Sequence, residues 1–187
     1  MPVRCYDDLV SRMQRIARSP TVELEQIGEF EATSRTYPMY LMRMGNPAPD
    51  KVSVLINAGI HGDEPAGVEA ALRFLETNSD NRDLLSRFSF VVFPCNNPTG
   101  WELDTRENWA GIDLNREFNT RKPPPEAAII SDALQGRCFD VVFEMHEDVD
   151  SPGLYLYEIA EDSSRFIGHE IISAAAALDC PINREEC

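Results

Sequence analysis

The chain has 187 residues, 43% of them hydrophobic, and 17 basic against 32 acidic side chains give it a formal charge of −15. A chain of this length can bury roughly 70% of its unfolded surface, which argues for one substantial core and against disorder. The charge disfavours nonspecific attraction to nucleic acid or to an anionic membrane, while leaving room for a local positive patch that recognises a small substrate.

The N-terminal stretch M-P-V-R-C-Y-D-D-L has no apolar signal segment, and no apolar run approaches membrane-spanning length. Cys5, Cys95, Cys138, Cys180 and Cys187 are odd in number, with no C-x-x-C pair, and read as reduced thiols. These features make the cytoplasm the expected compartment. With no repeat, low-complexity tract or linker, residues 1–187 are expected to form a single domain.

Helical periodicity predicts an amphipathic helix near Tyr6 to Ala17, followed by strands near Val22 to Phe30 and Thr36 to Arg43. A buried strand is predicted from Val52 to Asn57. It leads through Gly59 and Gly62 to a helix from Pro65 to Glu76, whose Val68, Ala71, Leu72 and Leu75 share one side. A strand at Phe88 to Phe93 precedes a long segment from Asn96 to Lys122 that is rich in Asn, Gly, Asp and Arg and lacks strong periodicity. Loops of that length inside a compact domain are usually functional or disordered. Pro123 to Pro125 reads as a rigid turn into a helix near Glu126 to Leu134. Strands at Asp140 to His146 and Leu154 to Ile159 and a helix from Asp162 to Asp179 complete the series. An initial hairpin followed by alternating strands and helices implies an α/β fold with a mixed, mainly parallel sheet sandwiched between helices.

Chemistry concentrates at V-L-I-N-A-G-I-H-G-D-E-P-A, where an apolar strand delivers His61 and Glu64, three residues apart, onto a loop before a helix. An H-x-x-E pair alone arises by chance. Its position at the carboxyl end of a strand, where α/β sheets gather their sites, raises its weight. Imidazole and carboxylate both suit zinc, and a catalytic zinc commonly takes three protein ligands. The remaining histidines are His146, which ends the apolar run F-D-V-V-F-E-M-H, and His169, which falls inside the last predicted helix and reads as structural or exposed. Arg106, Asn115 and Arg116 fall in the long loop, where each arginine taken alone reads as a solvated surface ion pair. Glu144 shares the face of His146 by strand alternation, whereas Glu147 would face away if the strand continued.

Three separated blocks carry a resemblance. H-G-D-E at His61 to Glu64, N-P-T-G with T-R-E-N and G-I-D-L-N-R-E-F between Asn97 and Phe118, and the strand-borne His146 together resemble the zinc carboxypeptidase family of metallopeptidases. More distantly they resemble the succinylglutamate desuccinylase and aspartoacylase branch. The resemblance implies one zinc ion bound by His61, Glu64 and His146. It also implies Asp113 hydrogen-bonded to a zinc-ligating histidine, Asn115 and Arg116 on a substrate carboxylate, and Arg106 on the scissile carbonyl. Glu144 and Glu147 are further candidates behind the ligands, and neither is assigned as a catalyst.

The resemblance also implies a general-base glutamate on a later strand. The chain reaches Cys187 without a match to that strand, and Glu185 and Glu186 in P-I-N-R-E-E-C lie in no comparable context. The expected fold is therefore zinc carboxypeptidase-like and shortened at the C-terminus. The expected function is zinc-dependent hydrolysis of a C-terminal peptide or amide bond in a small substrate with a free carboxylate, by a carboxypeptidase or peptide amidase. The alternatives are an N-acyl amino acid deacylase and a relative that binds zinc and carboxylates without turnover. The partner is a small peptide or N-acyl amino acid, with neither nucleic acid nor membrane. Oligomeric state is not legible in the sequence.

Overall fold

The computed structural model describes residues 4–183, so Glu185, Glu186 and Cys187 lie outside the described residues. In chain order the elements are α1 (Tyr6–Ile16), β1 (Val22–Ala32), β2 (Arg35–Met44), β3 (Val52–Ala58), α2 (Pro65–Asn78), α3 (Arg82–Arg87) and β4 (Phe88–Phe93). Then come α4 (Pro98–Leu103), α5 (Pro125–Leu134), β5 (Val141–Met145) and α6 (Gly168–Ala177), with single 3-10 turns at Leu114–Arg116 and Ser163–Arg165. By internal contacts the chain divides into two compact units, one ending at Glu147 and the other beginning at Asp148.

The first unit is built on one five-stranded sheet of order β1-β2-β4-β3-β5. Its outer half is antiparallel, β1 against β2 and β2 against β4, and its other half is parallel, β4 against β3 and β3 against β5. The mixed α/β sheet expected from the sequence is therefore present, and its parallel half leads into the candidate site. From Val54 to Ala58 every residue of β3 is buried, on both faces of the pleat, as a central strand covered by helices on each side requires. One cover is α2, whose Val68, Ala71, Leu72 and Leu75 are all at most 2% exposed. Another is α5, which packs on β1 so closely that a Cβ at Gly28 would stand 2.9 Å from Ile129. The N-terminal α1 adds Tyr6, Leu9, Met13 and Ile16, its apolar stripe, to the same core.

Several local expectations change. The Asn96–Lys122 segment is not without structure: Asn97 caps α4 by accepting the Gly100 N–H at 2.9 Å, and Pro98 opens the helix. An Asn before Pro is a helix-start signal that the polar composition of the segment obscures. Likewise Asn81, accepting from the Leu84 N–H at 3.1 Å, starts the short α3.

In the second unit the predicted strand Leu154 to Ile159 does not form. Only Leu154 makes a bridge, to Ile182, with hydrogen bonds from Leu154 N to Pro181 O and from Asn183 N to Leu154 O. Favourable strand composition without a ladder along its length does not make a strand. The last helix is also shorter than its apolar pattern, because Glu158 accepts the Ile167 and Gly168 N–H groups and sets the start of α6 at Gly168. His169 lies exposed on α6, as expected.

Candidate metal centre

Strands β3 and β5 are parallel neighbours in register, with Ala58 opposite Met145. Because paired strands run about 4.8 Å apart, the segments leaving their carboxyl ends emerge side by side. One is Gly59-Ile60-His61 and the other begins with His146. Gly59 turns the chain at φ +65°, a left-handed conformation that side chains disfavour. Gly62 is required for a different reason: a Cβ there would lie 1.9 Å from the backbone carbonyl carbon of Gly100. The chain is pinned at this point by the Gly62 N–H donating to Thr105 O at 2.9 Å. Two turns of sequence thus press His61 into the protein at 2% exposure.

Glu64 sits at the N-cap of α2, just before Pro65. Its two oxygens face two imidazoles, with Oε1 2.6 Å from His61 Nδ1 and Oε2 2.8 Å from His146 Nδ1. The rings are 5.0 Å apart by centroid, and one ligand atom from each of His61, Glu64 and His146 lies within 4.8 Å of the others. Behind His61, its Nε2 is 3.1 Å from Asp113 Oδ1. Asp113 also accepts from the Asn115 N–H at 3.1 Å, from Arg106 Nη2 at 3.2 Å and from Arg116 Nε at 3.3 Å. Burial alone would raise its carboxyl, but the bonds from His61, Arg106 and Arg116 outweigh it and hold the group below the ordinary range.

With His61 donating its Nε2–H to Asp113, its Nδ1 turns a lone pair toward a Glu64 oxygen. Two acceptors 2.6 Å apart repel unless a proton or a cation lies between them. A pair of imidazole nitrogens and a carboxylate gathered on one point, with a carboxylate behind one histidine, is the donor set that zinc takes. The residues present therefore fit that ion.

Arg106 borders this group, its Nη1 3.6 Å from Glu64 Oε1 and 3.3 Å from His61 Nδ1. The structure brings Asn115 and Arg116 to the same loop but leaves both side chains exposed, with Arg116 79% accessible. Glu144 accepts from Asn57 Nδ2 at 2.6 Å on the exposed side of β5. Glu147 does not face away, because the continuation of the strand on which that orientation depends is absent. The strand ends at Met145, and Glu147 turns its N–H to Glu64 Oε2 at 3.1 Å.

Three side chains that sequence reasoning passed over hold the surrounding loop. The fully buried Asn97 donates to Ile60 O and Arg106 O, tying the His61 turn to the arginine. Asn108 accepts from the Ala110 and Ile112 N–H groups and donates to Glu126 Oε1 at 3.1 Å. Glu126 is itself fully buried on α5. Buried amides that bond backbone in two directions leave no spacing signature, and only the Asn97-Pro98 helix start was detectable.

Residues 9–134, more than half of the chain, match the zinc carboxypeptidase family. The chain belongs to that family. The resemblance to that family is thus borne out, with the first two blocks inside the matched residues and His146 beyond them, and zinc is the cofactor the family brings. Among relatives of this chain, a carboxypeptidase E from Caenorhabditis elegans is 36% identical over 40% of this chain and 20% of its own length. Murein peptide amidase A from Escherichia coli K12 is 42% identical over 38% of this chain and 28% of its own length. A crystal structure from Shewanella amazonensis, provisionally described as a metallopeptidase, superposes with a TM-score of 0.73 at 26% identity, covering 97% of this chain and 69% of the other. The chain therefore spans a minor part of the curated relatives it matches.

Proposed function

We propose that this chain builds the zinc and carboxylate-binding apparatus of a hydrolase that cleaves a peptide or amide bond next to a free carboxylate in a small substrate. The observation that carries this reading is the convergence of His61 Nδ1 and His146 Nδ1 on the two oxygens of Glu64, with Asp113 behind His61. His61, Glu64 and His146 would hold the ion. When bound, zinc supplies an acidified water and a Lewis acid toward the carbonyl.

The protein's own groups then have separable tasks. Asp113 keeps the His61 proton on Nε2 and so aims Nδ1 at the ligand cluster. Arg106, held by Asp113 and close to Glu64, offers a fixed positive charge to an oxygen that becomes negative during attack. Arg116 and Asn115, exposed on the same loop, offer a guanidinium fork and an amide to a terminal carboxylate. The Asp113 bond orients Arg116 without burying it.

The carboxylates described around the centre, Glu64, Asp113, Glu144 and Glu147, are all engaged with protein groups. The partial likeness to both a carboxypeptidase and a peptide amidase supports a substrate class defined by its free carboxylate rather than by its leaving group. The unbridged Cys5, Cys95, Cys138 and Cys180 suit a reducing compartment. Among the described residues no helix is long and apolar enough to cross a membrane.

The test is to load the protein and its His146→Ala variant with zinc, then to measure metal content and amino acid release from short peptides and N-acyl amino acids. Stoichiometric zinc in the wild type alone, with release from carboxylate-bearing peptides, is the expected result. Equal zinc in both proteins would sink the ligand assignment. Preferred release from N-acyl amino acids would replace the peptidase reading with a deacylase.

A further inference from the structure

We propose that Glu147 is a positioning residue for the metal centre, locking the helix that carries Glu64 onto the strand end that carries His146. The inference rests on the metal site described above and adds to it a residue that is not itself one of the three ligands.

The start of α2 lacks an acceptor from its own cap side chain. A helix's first N–H groups need acceptors from outside the helix. The N-cap residue normally supplies one, but here it is Glu64, whose side chain makes no bond to its own helix. Both of its oxygens are turned to His61 and His146. Pro65, the next residue, has no N–H to satisfy. The first donor of α2 in need of a partner is therefore Ala66, and its N–H donates to Glu147 Oε2 at 2.9 Å. A carboxylate is also the side chain that the positive end of a 14-residue helix favours.

The same residue works in the opposite direction. Its backbone N–H donates to Glu64 Oε2 at 3.1 Å, the oxygen that also faces His146 Nδ1. Glu147 thus accepts from the helix with its side chain and donates to the helix's cap residue with its main chain. Between these two bonds the polypeptides are in direct contact: a Cβ on Gly67 would stand 3.0 Å from Met145 Cβ and 3.1 Å from Met145 O. With so little space at Gly67, the helix start and the strand end are held at one separation by the paired bonds of Glu147. That separation sets the distance from Glu64 to His146. Removing the carboxylate would leave the Ala66 N–H without its acceptor and let the two ligand-bearing segments drift.

The hydrogen bond needs an acceptor oxygen rather than a charge, so a glutamine can replace the glutamate in this role. Zinc affinity is measured by competition with a chromogenic chelator for wild type, E147A, E147Q and H146A, alongside thermal unfolding of the metal-free proteins. E147A is expected to bind zinc about 10-fold to 100-fold more weakly, the range seen for residues that orient metal ligands. E147Q is expected to stay close to wild type. A helix cap with no part in the metal site would lower the unfolding temperature of metal-free E147A and leave its zinc affinity unchanged, which would overturn the proposal. Equal losses in E147A and E147Q would overturn it as well, because charge rather than the bond to Ala66 would then be responsible. Should E147A fail to fold, E147D, one methylene short of the helix, takes its place with the same two outcomes. Undiminished zinc in H146A would instead overturn the ligand assignment itself, so the two failures are distinguishable.

Discussion

The turn carrying His61 and Glu64 and the loop carrying Arg106 and Arg116 meet at Asp113, yet they are built differently. His61 and Glu64 side chains are 2% and 12% accessible, whereas Arg106 and Arg116 are 43% and 79% accessible. The first segment is fixed by backbone contact at Gly62, by the start of α2 and by the end of β5. The second is fixed at its root, through Asn97, Asn108 and Glu126, while its arginines reach into solvent. The His61 and Glu64 turn is therefore held by the protein's own contacts. The arginine loop holds its charges in solvent, where water and salt screen them.

That contrast can be broken first at the metal. His61→Ala is expected to weaken zinc binding by well over the roughly 100-fold that marks residues behind the ligands, as read by chelator competition. Retention of wild-type affinity would mean that the buried half is not the metal half. The next largest effect is on stability. Gly62→Ala forces a methyl into the Gly100 backbone and is expected to cost about 3 kcal/mol, the upper part of the overpacking range, in denaturant unfolding. A value near zero would show that the turn yields.

The exposed half should respond in a different observable. Arg116→Lys is expected to leave zinc content unchanged and to weaken a carboxylate inhibitor by about tenfold, since a lysine cannot reproduce the guanidinium fork. Titration calorimetry in the zinc-loaded protein would read this, and rising salt should narrow the difference.

The smallest expected effect sharpens how that loop is anchored. Glu126 is fully buried, receives one bond from Asn108 and leaves Oε2 without a partner among the described residues. Burial raises its carboxyl, against the weaker pull of its own backbone N–H and of Asn108. A raised value means that the folded state holds the proton more tightly than the unfolded one. Stability from this group is thus fully present below the ordinary carboxylate value and falls as pH rises from there through the raised value. Glu126→Gln, which keeps an acceptor for Asn108, removes that loss and is expected to stabilise the protein at neutral pH by about 1 kcal/mol. The gain should shrink in acid, as followed by unfolding at several pH values.

Much of this was open to reading along the chain. The apolar runs at Val52 and Asp140, the glycines after the first and Pro65 at a helix start report local backbone preference, and they place His61, Glu64 and His146 at strand ends. The strand predicted at Leu154 to Ile159 shows where such reading stops, because composition proposes a strand and only a neighbouring ladder makes one. Glu147 shows it again. Alternation turns it outward as long as the strand continues, and the structure ends the strand two residues earlier.

The sequence by itself determined the His61 and Glu64 pair, its spacing within the first turn and the alternating elements of an α/β fold, because each depends on residues close in the chain. Only the tertiary structure decided that β5 pairs with β3, so that Ala58 faces Met145 and His146 joins His61. It likewise decided that Asn97, Asn108, Glu126 and Glu147 spend their polar groups on backbone from distant segments. Those choices follow from how helices pack over the sheet and bury apolar surface, a cooperative free energy of the whole core that no local pattern encodes.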